Sequence, residues 1–426
     1  MRRRTKSTMN RREFLGASAV AGGIMILKPG QVRGSEANSA VRIGLLGCGG
    51  RGNEVAGGFV NNAGARITAL ADLFSDQLEA TQKKLNDKLQ AKGLAAIDAS
   101  QIFKGPDAVH AIAASKEVDA VLIATPPYFH PAHLEAVVAA GKHVYCEKPI
   151  AIDVPGAKRA VAAGKQAQGK LSLAVGFQIR KAPPYVELVR RIHAGALGTI
   201  GCGLAHYYCP KISRPDWAGA SAEVKRFRNW VWDRKLSGDI IVEQNIHVID
   251  ICNWALQAHP LKATGAGSRK LRDDAGDCYD NFNVVFTYPG DIQISFGSTQ
   301  FDKHAFDACM RLYGTRGSCE AHYDHRMSIA GEEKWDAGLG KSEEGQFSAA
   351  GSFRGTLDQA DPEKQKSFVG SITSGNLLNE ADAGAHSALS AMLGRNAAYS
   401  GKVLTWDKLM KSKEVYDPII NLATMS

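Results

Sequence analysis

Val41-Arg-Ile-Gly-Leu-Leu46 runs directly into Gly47-Cys48-Gly49-Gly50-Arg51-Gly52. The first six residues are a short apolar run that ends in glycines, the signature of a buried strand. The next six fit G-x-G-x-x-G, and a helical stretch from about Gly52 to Asn61 follows. Set between strand and helix, each glycine has a task. Gly47 permits the tight turn, Gly49 lets the backbone approach a pyrophosphate, and Gly52 lets helix and sheet pack closely, with Gly50 in the same loop. The helix N-terminus supplies unpaired N–H groups and a partial positive charge. Arg51 adds a candidate charge-assisted contact. The pattern is that of a dinucleotide-binding turn.

Arg66-Ile-Thr-Ala-Leu-Ala-Asp72 reads as the second strand, and Asp72 ends it twenty residues beyond Gly52. An acidic side chain at that place accepts hydrogen bonds from an adenosine ribose. A carboxylate disfavours a 2′-phosphate, so the cofactor expected is NAD(H) rather than NADP(H). A helical stretch at 75–91, a buried strand at 118–124, a helix at 131–140 and a strand at 143–146 continue the alternation. Strands alternating with helices imply a parallel sheet covered on both faces.

After about residue 180 the rhythm changes. Strands cluster at 199–208, 261–268, 280–288, 291–298 and 309–314, and Tyr288-Pro-Gly-Asp291 is a turn between two alternating runs. A single helix is expected over 238–256, and 331–365 reads as a long loop. The fold class is therefore α/β: an N-terminal Rossmann dinucleotide-binding domain over 38–160, then an α+β domain over 161–400. The second domain has an open, mostly antiparallel sheet, and a tail covers 401–426.

Two further motifs carry chemistry. Gly141-Lys-His-Val-Tyr-Cys-Glu147-Lys148-Pro149 puts Glu147 and Lys148 at the carboxyl end of a strand, the edge where such sheets bind ligands. A lysine there can take a proton from a substrate hydroxyl as hydride leaves. Glu243-Gln-Asn245-Ile-His247-Val-Ile-Asp250 spaces Glu243 and His247 four apart, on one face of the expected helix. A carboxylate and an imidazole so placed can bind a sugar hydroxyl or relay a proton. Tyr207, Tyr208, Trp230 and Trp232 are aromatic candidates for stacking on a sugar. No Cys-x-x-Cys occurs, and His193, His304, His322 and His325 show no metal spacing. No metal is expected.

The glycine loop, Glu147-Lys148-Pro149, Gly176-Phe177-x-x-Arg180 and the Glu243-x-x-x-His247-x-x-Asp250 stretch, in that order, resemble the glucose–fructose oxidoreductase, inositol dehydrogenase and rhizopine-catabolism (Gfo/Idh/MocA) family. The resemblance covers roughly residues 40–400. It implies an oxidoreductase acting on a sugar, polyol or glycoside hydroxyl, with Lys148 and His247 as the catalytic pair and Glu243 where an aspartate often stands. The family's Thr-Pro-Asn loop appears as Thr125-Pro126-Pro127, followed by His130. By the resemblance Thr125, Pro126, His130, Glu147 and Lys148 lie along the cofactor. Arg180, Tyr208, Trp232, Asn245 and His247 are the substrate-binding candidates.

The chain has 426 residues, too many for one core, which stops growing near roughly 250–300 residues. Its formal charge is +9, but residues 1–37 carry eight basic and two acidic residues, a net of +6. Asn10-Arg11-Arg12-Glu13-Phe14-Leu15, the apolar run 17–27 and Ser35-Glu36-Ala37 resemble a cleaved twin-arginine export signal. The expected compartment is the periplasm, reached through the twin-arginine machinery. The basic excess is then no sign of a nucleic-acid partner, and no membrane span is expected after cleavage. Folding before export should leave the eight cysteines as small buried hydrophobes. Outside the cytoplasm there is no free NAD pool, so a retained NAD(H) is expected. Two alternatives stand beside the oxidoreductase: an NAD-dependent glycosidase working by transient oxidation, elimination and hydration, and a non-catalytic binding protein. The antiparallel sheet offers a face for a homo-oligomer.

Overall fold

The structure is a computed structural model, and it describes residues 40–272, 276–304, 306–323, 326–339 and 357–425. The expected leader, His325 and residues 340–356 of the expected 331–365 loop lie outside the described residues. Val41–Ser426 hold together as one unit.

The first sheet contains β1 (Arg42–Leu46), β2 (Arg66–Asp72), β3 (Ile102–Lys104), β4 (Ala120–Ile123), β5 (His143–Cys146) and β6 (Leu173–Val175). All its pairings are parallel, in the order β3-β2-β1-β4-β5-β6. Ile43, Leu45, Val121 and Leu122 are completely buried, as expected of strands covered on both faces. The covering helices are α1 (Gly50–Asn62), α2 (Ser75–Ala91), α3 (Ala108–Ala114), α4 (His130–Ala139) and α5 (Val154–Ala167). The strand order turns between β1 and β4, and such a switch point opens a crevice beyond the strands' carboxyl ends. The glycine loop, Asp72, Thr125 and Glu147-Lys148 all follow directly at those ends or close the strand itself.

Helix α6 (Pro183–His193) leads into the second sheet. Its strands are β7 (Ile200–Tyr208), β8 (Lys262–Ser268), β9 (Asn281–Thr287), β10 (Gln293–Thr299), β11 (Asp307–Gly314), β12 (Gly317–His322), β13 (Met327–Gly331), β14 (Trp335–Asp336) and β15 (Leu404–Thr405). The order is β14-β13-β12-β11-β7-β10-β9-β8-β15, antiparallel throughout except where β7 meets β10. β12 and β13 were not expected. They alternate small, polar and apolar residues too weakly to announce a strand, and gain their place by pairing with β11.

The expected helix over 238–256 is not continuous. A turn, α8 (Arg234–Ser237), follows α7 (Ala222–Arg228) and ends on Gly238 at φ 84°. Then α9 (Ile240–Glu243) stops, and α10 (Ile246–Leu256) starts after Gln244 and Asn245. Gln244 and Asn245 both donate to the Ile240 carbonyl, which tightens the chain at the break. Helices α11 (Ala360–Ser374) and α12 (Ala381–Ser400) follow. α12 joins the two sheets: a Cβ on Gly384 would meet Val175 of β6 at 3.0 Å, and one on Gly394 would meet Phe286 of β9 at 2.6 Å. Small residues let this helix seat against both, as close packing requires.

Candidate active site

The glycine loop forms as its spacing requires. Gly47 has φ +97°, and a Cβ there would lie 2.6 Å from the Ala124 carbonyl group, so only glycine fits the turn. A Cβ on Gly52 would reach 2.1 Å from the Gly47 oxygen. Gly49 and Gly50 are different, because nothing lies within 4 Å of a Cβ on either. Their backbone faces open space at the start of a 13-residue helix whose N-cap, Gly49, makes no side-chain cap. Uncapped N–H groups beside open space are what a pyrophosphate needs.

Asp72 lies beside this loop. Its Oδ2 accepts from the Cys48 N–H at 2.7 Å and its Oδ1 from the Phe74 N–H at 2.9 Å. Burial raises its pKa, and these backbone donors oppose the rise. Asp72, Gly47, Gly49, Gly50 and Thr125-Pro126 line a cleft of about 320 Å³, with Phe74 and Trp217 as aromatic walls. The residues fit a dinucleotide: a phosphate cradle at one end and a ribose-facing carboxylate between aromatic walls at the other.

A second cleft of about 480 Å³ shares Gly50, Thr125 and Trp230 with the first, so the two adjoin. Glu147, Lys148, Glu243 and His247 line it. The Lys148 Nζ donates to the Glu243 main-chain oxygen at 2.5 Å and to its Oε1 at 2.9 Å. Glu243 and His247 do meet the same cleft, but not through a shared helix face. Glu243 closes α9 and His247 opens α10, and the break between them turns both inward. His247 is buried, its ring edge-on to Phe177 at 6.2 Å, and its Nδ1 has no protein partner. Burial, with Lys148 and Arg51 nearby, holds its pKa well below the usual 6.5. The ring is therefore neutral at neutral pH.

Arg51 does not reach out to a phosphate. Its Nε donates to Glu147 at 2.9 Å, and its two terminal nitrogens grip Asp361 at 2.8 and 2.9 Å. Asp361 lies 310 residues away and no local pattern announces it. Glu147 is buried and pressed against the chain at Gly176, where a Cβ would lie 2.5 Å from its Oε2. That contact explains the glycine of Gly176-Phe177. His130 lines the second cleft as a brace: Nδ1 lies 2.7 Å from the Pro149 carbonyl and Nε2 2.7 Å from the Thr125 carbonyl. Burial pushes its pKa to about 4 against the pull of those two acceptors.

Three substrate candidates are placed elsewhere. Side chains alternate along a strand, so Tyr207 lines the cleft while Tyr208 stands on the opposite sheet face, stacked on His206 at 4.6 Å. Arg180 is bound in two-pronged fashion to buried Asp250 and lies over Trp254, away from both clefts. Asn245 is buried at the helix break, with its Oδ1 unsatisfied by protein, and does not line the cleft. Trp232 does line it, with Arg272 over its ring at 4.5 Å. Gln178 and Gln244 also line this cleft and carry no motif. All eight cysteines are free, and only Cys202 is exposed.

Residues 41–177 match the family model described as "Oxidoreductase family, NAD-binding Rossmann fold", and residues 185–320 match the "GFO/IDH/MocA C-terminal domain". The inositol 2-dehydrogenase of Rhizobium meliloti is 26% identical over 292 residues, covering 68% of this chain and 78% of that protein. The inositol 2-dehydrogenase of Paracoccus denitrificans is 34% identical over 154 residues, 36% of this chain and 41% of that protein. Among solved structures, myo-inositol 2-dehydrogenase from Lactobacillus plantarum superposes with a TM-score of 0.65 at 20% identity, over 86% of this chain and 99% of that one. Scyllo-inositol dehydrogenase from Lactobacillus casei, with NAD(H) and scyllo-inositol bound, superposes with 0.64 at 18% identity over the same shares. At these identities the solved structures speak for the fold.

Proposed function

The chain belongs to the GFO/IDH/MocA family of oxidoreductases, and from that premise we propose that it is an NAD-dependent dehydrogenase of a cyclic polyol or sugar. The observation that carries the reading is the juxtaposition in one cleft of Lys148, fixed by Glu243, and a buried neutral His247, directly beside the glycine loop. The matched dehydrogenases of inositol give the substrate class.

When bound, NAD accepts the hydride from the substrate carbon. The chain's own residues supply the rest. The Gly49 and Gly50 backbone takes the pyrophosphate and Asp72 the adenosine ribose. The Lys148 ammonium, held still by Glu243, faces the reacting oxygen and stabilises its developing negative charge. His247, a neutral imidazole lining the cleft, takes the hydroxyl proton as the O–H bond breaks. Tyr207, Trp230 and Trp232 give the ring an apolar wall. The glycosidase and non-catalytic alternatives are not favoured, since the relatives matching most of the chain are dehydrogenases.

NADH absorbance with a panel of inositols and aldoses tests the reading. NADH should accumulate in step with one of them. Aglycone release from a nitrophenyl glycoside with no change in NADH would replace it by the glycosidase. Export by the leader and self-association through the open face of the second sheet are further parts of this proposal. The basic, apolar and small-residue order of residues 1–37 supports the first.

A further inference from the structure

Three neighbouring strands of the second sheet set His206, Cys309 and His322 in one row. His206 of β7 is in register with Cys309 of β11, and Cys309 with His322 of β12. By strand alternation all three stand on one sheet face, opposite to Tyr207 and the candidate active site. Asp307, two residues before Cys309, stands on that same face. Its Oδ2 lies 2.7 Å from His206 Nε2 and its Oδ1 2.6 Å from His322 Nδ1. The imidazole nitrogens and the Cys309 sulfur fall within 4.8 Å of one another.

We propose that His206, Cys309 and His322 bind one divalent transition-metal cation of the zinc type, with Asp307 beside the two imidazoles. Two imidazoles and a thiolate supply three ligands of a tetrahedral zinc site and leave the fourth position to water or to the neighbouring carboxylate. Zinc's usual bond lengths put its ligand atoms roughly 3.3–3.8 Å apart, so the two imidazoles and the thiol need to close by about 1 Å at most, while Asp307 draws back from both rings by roughly 0.6 Å. The surroundings support the set. Glu320 Oε1 lies 2.5 Å from His322 Nε2, a carboxylate behind a metal-binding histidine that fixes its tautomer. With the proton on Nε2, the Nδ1 lone pair faces a carboxylate oxygen 2.6 Å away and the Arg326 guanidinium 3.1 Å away. Tyr208 stacks on His206 and fixes that ring as well.

The charged neighbours are compatible. Arg311 is paired with Glu320 at 2.9 Å. The Arg326 Nη2 lies 3.1 Å from His322 Nδ1, but its side chain is 58% exposed and can swing outward as the cation enters. Asp307, at 31% side-chain exposure, marks the way in. Binding breaks S–H, forms sulfur–metal and releases the proton to solvent, so affinity rises with pH. Positions 206, 309 and 322 show no metal motif in sequence because the ligands come from three separate strands.

Titration of the full-length protein with Co2+ tests this directly, since a thiolate ligand gives a near-ultraviolet charge-transfer band. One Co2+ per chain is expected, displaced by Zn2+. The band should vanish in Cys309→Ser and persist in Cys202→Ser, the exposed thiol. His322→Ala should weaken Co2+ binding at least tenfold. A wild-type protein with no thiolate band, or a band that survives Cys309→Ser, overturns the proposal. The wild-type titration decides even if a variant fails to fold.

Discussion

Glu243 holds Lys148 through two oxygens, its main-chain carbonyl at 2.5 Å and its carboxylate at 2.9 Å from Nζ. The two contacts separate on mutation. Glu243→Gln removes the charge and keeps the carbonyl, so the lysine stays in place. Lys148→Ala should lower kcat by about 10²–10³ with NAD affinity little changed, the usual scale for losing one preorganised donor to a developing oxyanion. Glu243→Gln should cost less. Steady-state NADH formation alongside NAD titration measures both. Equal losses would mean that the carboxylate, rather than the anchored ammonium, carries the effect.

Three histidines, His130 and His247 buried and His133 half-buried beside the first cleft, set an acid limit. Burial holds His247 well below 6.5, His130 at about 4 and His133 at about 3. The unfolded chain binds protons on all three as pH falls through about 6.5, and the folded chain does not, so stability falls with pH below that point. His247 also stays basic there. Activity should therefore persist on going from pH 7.5 to 6.5, while the urea midpoint declines from pH 6.5 toward 4. A kcat/KM that collapses with a pKa near 6.5 would contradict the neutral, buried base.

Asp72 should show two losses at once. Its carboxylate anchors the Cys48 and Phe74 N–H groups as well as facing the ribose position. Asp72→Ala should cost about 1–3 kcal/mol, the scale of unsatisfied buried donors. It should also narrow the preference for NAD over NADP, because the repulsion of a 2′-phosphate disappears. Denaturant melts and fluorescence titrations with both cofactors read the two effects separately. An Asp72→Ala protein that keeps full discrimination removes the ribose role.

Much of this was legible in the sequence where the signal is local. The glycine loop, Asp72 and Lys148 each end a short buried strand, and apolar runs punctuated by glycine show such ends plainly. What sequence hid came from elsewhere in the chain. Asp361 reaches Arg51 across 310 positions. The break between Glu243 and His247 lies in a stretch buried on every side, so the apolar pattern carries no period to reveal it. Of the neighbouring candidates Tyr207 and Tyr208 only the first lines the cleft, because in a strand one residue is the whole difference between faces.

If the proposed leader exports the folded chain, the cofactor is left without a soluble pool. Purified chain denatured in acid or organic solvent should release NAD(H) near one per chain, seen by ultraviolet absorbance and mass. Protein that arrives empty and needs micromolar added NAD refutes retention while leaving the dehydrogenase reading intact.

Arg51 gives the sharpest test between structural and cofactor roles. Its guanidinium lies between Glu147, 5% exposed at the side chain, and Asp361, 21% exposed. Removing one partner of a buried pair strands the others, at a cost of about 3–5 kcal/mol. Lysine cannot replace it, because a point charge does not span two carboxylates as a planar fork does. Arg51→Met should therefore lower the urea midpoint strongly, and Arg51→Lys should recover only part. Neutralising the stranded acids in Arg51→Met/Glu147→Gln/Asp361→Asn should restore stability further. If Arg51 instead served a phosphate, Arg51→Met would weaken NAD binding and leave the midpoint unmoved. The observed pairing argues for the first pattern, since each of its three nitrogens already donates to a carboxylate oxygen.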